Sequence, residues 1–275
     1  MTLFKVITAH LDQLPAGLSD MTTLTNTFKK RMLIGDTQFG YWLAMANAYT
    51  AEITATAGFD WLLIDGEHAP NDIRSMLAQL QAIAPYPVSP IVRALEGTTA
   101  NIKQLLDIGA HNILVPMVES AKQARQIVAA TKYPPRGNRG VGAAIARSSK
   151  WMAIQDYSAN IEEDICLILQ IESVAGLENL EEILLESGYD AIFIGPSDLA
   201  ASMGHGGDTA HPNVQKAITD ACRKAQAAGK HVGILSTEEH MIKQYLEQGI
   251  SFIAVGVDTI SYAHVTRSLA QRYTS

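Results

Sequence analysis

Charged side chains close several short apolar runs of this sequence, and their types suit metal binding and proton transfer. Asp65 and His68 follow one run, Arg93 follows the next, and Glu172 and Asp198 follow two later ones. Any one carboxylate in such a place can simply cap the helix that comes after it, because negative charge favours helix N-termini. As a set, these groups indicate a shared site.

Glu172 and Asp198 close consecutive apolar runs, and they predict a metal site. Neighbouring strands of a barrel lie about 4.8 Å apart, so the two carboxylates would meet at one spot. Hard oxygen ligands without cysteine favour Mg²⁺ or Mn²⁺ over structural zinc, and the same pair accepts Co²⁺. Two protein ligands leave room for water and for both oxygens of a 2-oxo acid, which describes a Lewis-acid site.

His68 and Arg93 are the candidates for proton transfer and charge stabilisation. His68 lies three residues after Asp65, close enough for that carboxylate to orient the imidazole as a general base. The alternative is that Asp65 caps the following helix and His68 is an ordinary loop histidine. The Arg93 guanidinium needs an anion, which a substrate oxyanion or the metal-site carboxylates would supply. The remaining histidines are interpreted as structural.

Short β-branched runs alternate with longer amphipathic segments along the whole chain, the pattern of repeated βα units. Eight strands predict a closed α/β barrel, the (β/α)8 TIM barrel, with its active site at the carboxyl ends of the strands. The predicted strands are Gln38 to Met45, Trp61 to Glu67, Val88 to Leu95, Asn112 to Val118, Cys166 to Glu172, Ala191 to Asp198, His231 to Thr237 and Phe252 to Asp258. The predicted helices include Asn71 to Ala84, Thr99 to Ile108, Ala121 to Thr131, Leu177 to Glu186, Pro212 to Ala228 and Glu238 to Gln248.

The joints between these elements carry recognisable signals. A glycine in the left-handed conformation is expected just before five of the strands, because it commonly ends a helix. These glycines are Gly58, Gly109, Gly188, Gly229 and Gly249. Ser236 and Glu239 have the spacing of a capping box. The long stretch from Tyr133 to Trp151 is rich in Pro and Gly, and loops of this length in compact domains are often functional.

Composition excludes several classes of function. The 47% hydrophobic content with 18% charged residues suits a buried parallel sheet, and the net charge of -7 offers no basic face for nucleic acid or an anionic membrane. Cys166 and Cys222 form no metal-binding spacing and predict a reducing compartment. Without a signal peptide or a membrane span, we expect a cytoplasmic protein. The glycines at 137–142 and 204–207 do not match a nucleotide-binding motif.

From residue 27 to 273 the sequence resembles the HpcH/HpaI aldolase family. The motifs that carry this resemblance are Phe59-Asp60-Trp61, Asp65-Gly66-Glu67-His68-Ala69-Pro70, Tyr133-Pro134-Pro135, Arg139-Gly140-Val141-Gly142, Gln170-Ile171-Glu172 and Gly195-Pro196-Ser197-Asp198-Leu199. The resemblance implies a barrel of the phosphoenolpyruvate/pyruvate type, with Glu172 and Asp198 binding the divalent ion. It also implies that Arg93 stabilises the enolate and that His68, held by Asp65, removes the 4-hydroxyl proton.

The same resemblance assigns further residues. Asp107 would reach a neighbouring subunit's site in a homo-oligomer, a hexamer built as a dimer of trimers or a trimer of swapped dimers. The substrate would be bound by Trp42, Arg139, Gly195, Pro196, Ser197 and Leu235. Relatives have Ala or Ser where this chain has Ser197. Residues 1–20 have no counterpart in close relatives and are interpreted as an extension before a single barrel domain, 21–275.

The expected activity is metal-dependent cleavage of a 4-hydroxy-2-oxo acid to pyruvate and an aldehyde. The first candidate substrate is 4-hydroxy-2-oxoheptanedioate, which would yield succinate semialdehyde in aromatic catabolism. The alternatives are a 2-keto-3-deoxy sugar acid, oxaloacetate decarboxylation or acyl-ester lysis at the same site, and a non-catalytic 2-oxo-acid binding protein. No lysine ends a predicted strand, so we do not expect Schiff-base chemistry.

Overall fold

Eight parallel strands close into a barrel in the computed structural model, which describes residues 25–274. Each strand pairs with the next in sequence, and β8 pairs with β1, so the predicted (β/α)8 TIM barrel is confirmed. The strands are β1 (Gln38–Leu43), β2 (Trp61–Asp65), β3 (Ser89–Arg93), β4 (Asn112–Val115), β5 (Cys166–Ile171), β6 (Ala191–Ile194), β7 (His231–Leu235) and β8 (Phe252–Val257). The proposed extension, residues 1–20, lies outside the described residues.

Helices surround the barrel and return the chain from the carboxyl end of one strand to the amino end of the next. They are α1 (Thr27–Leu33), α2 (Ala48–Ala55), α3 (Ile73–Ile83), α4 (Thr99–Asp107), α5 (Ala121–Thr131), α6 (Tyr157–Asp164), α7 (Val174–Glu178), α8 (Leu180–Leu184), α9 (Pro196–Ser202), α10 (Pro212–Ala227), α11 (Glu239–Glu247) and α12 (Asp258–Thr274). Several begin at a side chain that accepts hydrogen bonds from the first turn, as at Asp72 and Ser120. None of the described helices is long and apolar enough to cross a membrane.

The barrel interior is filled by aromatic and branched side chains. Trp61, Phe193 and Phe252 are buried there, and Phe28 of α1 closes the amino end with its ring centroid 5.5 Å from that of Phe252. A second apolar layer lies between the outer strand faces and the helices. Because the interior is solid, a substrate can reach the barrel only at its ends.

The helix-ending glycines take the conformation that the sequence predicts. All five have φ between +72° and +93°, a region that side chains with a Cβ rarely adopt. Two local predictions are wrong. Glu238, not Ser236, is the N-cap of α11, and Ser236 accepts only a 3.3 Å bond from the Glu238 amide. The predicted helix Leu177 to Glu186 is divided at Asn179 into α7 and α8.

Candidate active site

Asp65, the last residue of β2, organises one side of the carboxyl end of the barrel, which we call the mouth. Its carboxylate accepts hydrogen bonds from Nε and Nη2 of Arg93 at 2.9 and 2.6 Å and from Nε1 of Trp42 at 3.1 Å. The backbone amides of Glu67 and His68 donate to it as well. Burial alone would raise the pKa of Asp65, but these donors, Arg93 first among them, lower it. The carboxylate therefore stays ionised.

Arg93, the last residue of β3, is held rigidly at the mouth. Its side chain is 6% exposed and pairs through Nη1 with Oε2 of Glu67 at 2.7 Å, an ion pair that is not aligned as a hydrogen bond. The guanidinium carbon lies 4.9 Å from the centre of the Trp42 ring. Asp65 and Glu67 balance Arg93, rather than the metal-site carboxylates that the sequence suggested. The contact of Arg93 with a substrate oxyanion stays a prediction.

Glu172 follows β5 and is 2% exposed. It accepts a hydrogen bond from the Met117 amide at 2.8 Å and one from Nε2 of Gln170 at 2.5 Å. Burial raises the pKa of Glu172 to about 7, with the nearby carboxylates of Glu67 and Asp198 adding to the shift. A buried carboxylate among like charges is in a position that favours binding either a proton or a cation.

Asp198 lies in the first turn of α9, directly after β6, and it is exposed. Its negative charge contributes to raising the pKa of both Glu67 and Glu172. Gly195 separates β6 from α9, and a Cβ there would lie 2.3 Å from Oε2 of Glu172. Glycine at this position therefore lets the chain pass close to the Glu172 carboxylate.

The donor set at the mouth fits a divalent cation held by few protein ligands. Asp65, Glu67, Glu172 and Asp198 oppose the single charge of Arg93, which gives a formal charge of -3 when all are ionised. A cation between Glu172 and Asp198 would remove the repulsion that raises the pKa of Glu172. Within residues 25–274, no group of three or more His, Cys, Asp or Glu side chains is arranged to hold a metal ion. These two carboxylates would therefore leave coordination positions for water and substrate.

Comparison with known proteins identifies the family. The model of the HpcH/HpaI aldolase/citrate lyase family matches residues 38–265, which include the whole barrel. This chain belongs to that family. It is a carbon-carbon lyase of the class II pyruvate aldolase type, and such aldolases generally depend on a divalent metal ion.

Relatives narrow the range of chemistry. The chain is 54% identical over 248 residues to a hydroxypyruvate/pyruvate aldolase of Pseudomonas aeruginosa, covering 90% of this chain and 92% of the relative. It is 51% identical over 249 residues to a 2-keto-3-deoxy-L-rhamnonate aldolase of Klebsiella pneumoniae, with coverage of 90% and 92%. A crystal structure of a family member from Burkholderia cenocepacia superposes with a TM-score of 0.87 at 36% identity, covering 91% of this chain and all of the other.

The expected contact between Asp65 and the His68 imidazole is absent from this aldolase chain. Asp65 accepts from the His68 backbone amide at 3.2 Å, while the imidazole is 63% exposed and lies 3.8 Å from Oε2 of Glu67. All the Asp65 oxygens are already engaged by donors from Arg93, Trp42 and the backbone, so the ring is left outside. Asp65 thus fixes the loop that carries His68, and the imidazole's role as a base stays a prediction.

Two of the predicted pocket residues lie at the mouth side of the barrel interior. Trp42 is 6% exposed, and its ring centroid is 5.8 Å from that of Phe193. Leu235, the last residue of β7, is half-buried and packs against the same interior cluster. Gly195, Pro196 and Ser197 form the turn into α9, with only Ser197 exposed. The contacts of all five with substrate stay predictions.

Asp107 and Arg139 lie together at the other end of the barrel. Asp107 ends α4 just before β4, and Nη2 of Arg139 is 3.4 Å from its Oδ1. Arg139 is fully buried and is 4.7 Å from the ring centre of Tyr133 and 3.2 Å from the Tyr157 hydroxyl. Its predicted place in the pocket is wrong for its own chain, because it lies at the amino ends of the strands. Asp107 could reach a mouth only in another copy.

Sequence reasoning missed two mouth residues, Glu67 and Gln170. Glu67 pairs with Arg93, and burial raises its pKa, against the opposing effect of Arg93. It follows the strand in a loop, where spacing gives no direction for a side chain. Gln170 of β5 donates to Glu172, which lies two residues later, just past the end of the strand. That signal was available, because residues two apart on a strand share a face.

Proposed function

We propose that this aldolase joins pyruvate or hydroxypyruvate to a short hydroxyaldehyde and cleaves the matching 2-keto sugar acid. That product is a 2-keto-3-deoxy sugar acid when pyruvate is the nucleophile. The observation that carries the proposal is the charge balance at the mouth. Within residues 25–274, Arg93 is the arginine paired with the mouth carboxylates, and its bonds to Asp65 and Glu67 leave it no free charge for a second substrate carboxylate. A sugar acid has one carboxylate, whereas 4-hydroxy-2-oxoheptanedioate has two. The names of the relatives favour the same substrates.

A divalent ion held by Glu172 and Asp198 would bind the 2-oxo acid and act as a Lewis acid. Arg93 provides a fixed positive charge beside the position where negative charge develops on the pyruvate fragment. Because Asp65 and Glu67 hold it in place beforehand, little reorganisation is needed during the reaction. Removing one such preorganised donor typically costs about 3 to 4 kcal/mol of transition-state stabilisation.

In cleavage, the bond between C3 and C4 breaks, and its electron pair stays with the pyruvate fragment. The 4-hydroxyl group loses its proton and becomes the aldehyde. His68 is the group we assign to take that proton, because its exposed imidazole stands on the mouth loop next to Glu67. A proton is then added to C3 to give pyruvate. Trp42 and Leu235 would exclude water from the apolar side of the site.

The proposal includes the assembly of the enzyme. Asp107 lies at the amino end of its own barrel, so it could contribute to a mouth through contact with another copy. We propose a homo-oligomer, a hexamer, in which α12 packs against a neighbouring copy. Only Asp258 of the 17 residues of α12 is buried. Tyr262, Val265, Leu269 and Tyr273 recur at helical spacing and are all exposed. They form an apolar stripe that nothing else in the described part of the chain covers.

A matrix of aldol reactions tests the substrate proposal. Pyruvate and hydroxypyruvate serve as nucleophiles with glyceraldehyde, lactaldehyde or succinate semialdehyde as acceptors, and products are quantified by mass spectrometry in the presence of Mg²⁺ or Mn²⁺. We expect kcat/KM for the hydroxyaldehydes to exceed that for succinate semialdehyde by about tenfold or more, the equivalent of about 1.4 kcal/mol. A preference for succinate semialdehyde would reinstate the dicarboxylate substrate. Release of pyruvate from oxaloacetate alone would identify a decarboxylase.

A further inference from the structure

A cavity of about 220 Å³ lies at the amino end of the barrel, away from the mouth. It is bounded by the end of α3, the start of β3 and the segment between α5 and α6. Leu80, Pro90 and Ile154 supply apolar walls. The cavity is therefore large enough for a small molecule and is not part of the candidate active site.

Cationic side chains line this cavity without an acidic partner. Arg147 and Lys150 are both half-buried, and no carboxylate is found among the described residues that line the cavity. Arg147 donates through Nη1 to the carbonyl of Ile108 at 2.9 Å, a neutral partner. His111 also lines the cavity, and its Nδ1 lies 2.9 Å from Oδ2 of Asp164. In a protein with a net charge of -7, these two neighbouring cations therefore have no carboxylate counter-ion among residues 25–274.

A buried hydroxyl points to the same conclusion independently. Ser148 is 3% exposed, lines the cavity, and its Oγ has no hydrogen-bond partner. An unpaired buried hydroxyl costs free energy that a ligand oxygen would recover. Gly109 leaves space for the Arg147 guanidinium, because a Cβ at this position would lie 2.7 Å from Nη1 of Arg147.

We propose that Arg147, Lys150 and Ser148 form a second ligand site that binds a small oxyanion, either a phosphate group or a carboxylate. Arginine and lysine are the side chains that bind such groups in water-poor places, and a hydroxyl donor completes the set. Burial lowers the pKa of both cations, for Lys150 with repulsion from Arg147 added. A bound anion would reverse that shift.

Calorimetric titration of the full chain with inorganic phosphate, and separately with acetate, tests the site at constant ionic strength. EDTA is present throughout, so that the anionic mouth of the metal-free protein repels either probe. The variants are Lys150→Met and Ser148→Ala. The matched control is Lys122→Met, which removes an exposed lysine of α5 that forms no ion pair with any residue of the range 25–274. Circular dichroism checks that each variant is folded.

We expect saturable one-to-one binding that Lys150→Met weakens by about ten- to a hundredfold and Ser148→Ala by a smaller factor, while Lys122→Met leaves it unchanged. Tighter binding of phosphate than of acetate would identify phosphorylated metabolites as the ligand class, and the reverse order would identify carboxylic acids. Absence of binding by both probes would overturn the proposal. Equal affinity in the wild type and all variants would overturn it too.

Discussion

Replacing Glu172 by Gln should stabilise the metal-free protein above neutral pH, although it removes a charge from the candidate metal site. Glu172 is buried, and the nearest carboxylates repel its ionised form. The amide can keep both hydrogen bonds of the carboxylate. Its oxygen accepts from the Met117 amide, and its NH₂ can donate to Oε1 of Gln170 after an amide flip, since that oxygen has no partner now.

The size of the effect follows from the pKa of Glu172. Burial and like charges raise this pKa from 4.5 in the unfolded chain to about 7 in the folded one. Between these values the folded state binds more protons, so stability is full below pH 4.5 and is lost as pH rises towards 7. At 1.36 kcal/mol for each pKa unit, the loss is about 3 kcal/mol above pH 7. Glu172→Gln does not ionise and avoids this loss.

Urea denaturation in EDTA at pH 5 and pH 8, at one fixed protein concentration, measures the difference. We expect Glu172→Gln to exceed the wild type by about 1 to 3 kcal/mol at pH 8 and to match it closely at pH 5. Mg²⁺ or Mn²⁺ should stabilise the wild type but not the variant. The control Glu247→Gln, at an exposed position of α11, should change neither result. A variant that is less stable than the wild type at pH 8, or a difference independent of pH, would show that ionisation of Glu172 does not destabilise the folded protein.

Three other changes give distinct outcomes. Asp65→Ala leaves the buried Arg93 with Glu67 as its one remaining carboxylate partner, and it should lower the free energy of unfolding by about 3 to 5 kcal/mol in urea titrations. A loss no larger than that of the surface control Asp220→Ala would show that Asp65 does not hold Arg93 and the mouth together. His68→Asn should reduce kcat for pyruvate release by about 10² to 10⁴ without shifting the melting temperature, because the side chain is exposed; an unchanged kcat would remove His68 as the base. Val265→Asp, on the apolar stripe of α12, should yield smaller species in analytical ultracentrifugation, whereas His264→Asp, on the opposite face of the helix, should not. If both variants form oligomers of the same size as the wild type, α12 has no role in the assembly.

The sequence predicts the barrel well because the fold depends on repeated local patterns. Each of the eight strands begins within one residue of the predicted start, since buried runs of branched residues follow turn signals. Their predicted ends are too long. The segment after Asp65 turns into a loop through two hydrogen bonds to the Asp65 carboxylate, and apolar content alone does not show such a turn.

The candidate site is predictable in location but not in pairing. The residues that end or directly follow the strands lie at one mouth because all eight strands are parallel. These residues include Asp65, Arg93, Glu172 and Asp198. The partner of each group depends on side-chain directions that spacing does not contain. For this reason the sequence predicted that the Asp65 carboxylate would contact the His68 ring. In the structure Arg93, which lies opposite Asp65 on the neighbouring strand, donates to that carboxylate instead.

With a divalent ion on Glu172 and Asp198, as proposed, the mouth should activate pyruvate at its methyl group. Mass spectrometry of pyruvate incubated in D₂O with the EDTA-stripped enzyme tests this without any choice of aldehyde. We predict deuterium uptake that requires added Mg²⁺, Mn²⁺ or Co²⁺ and disappears in Glu172→Gln. Uptake that persists in EDTA or in that variant, or no uptake with any of the three ions, would show that Glu172 and a divalent ion do not activate pyruvate at this mouth.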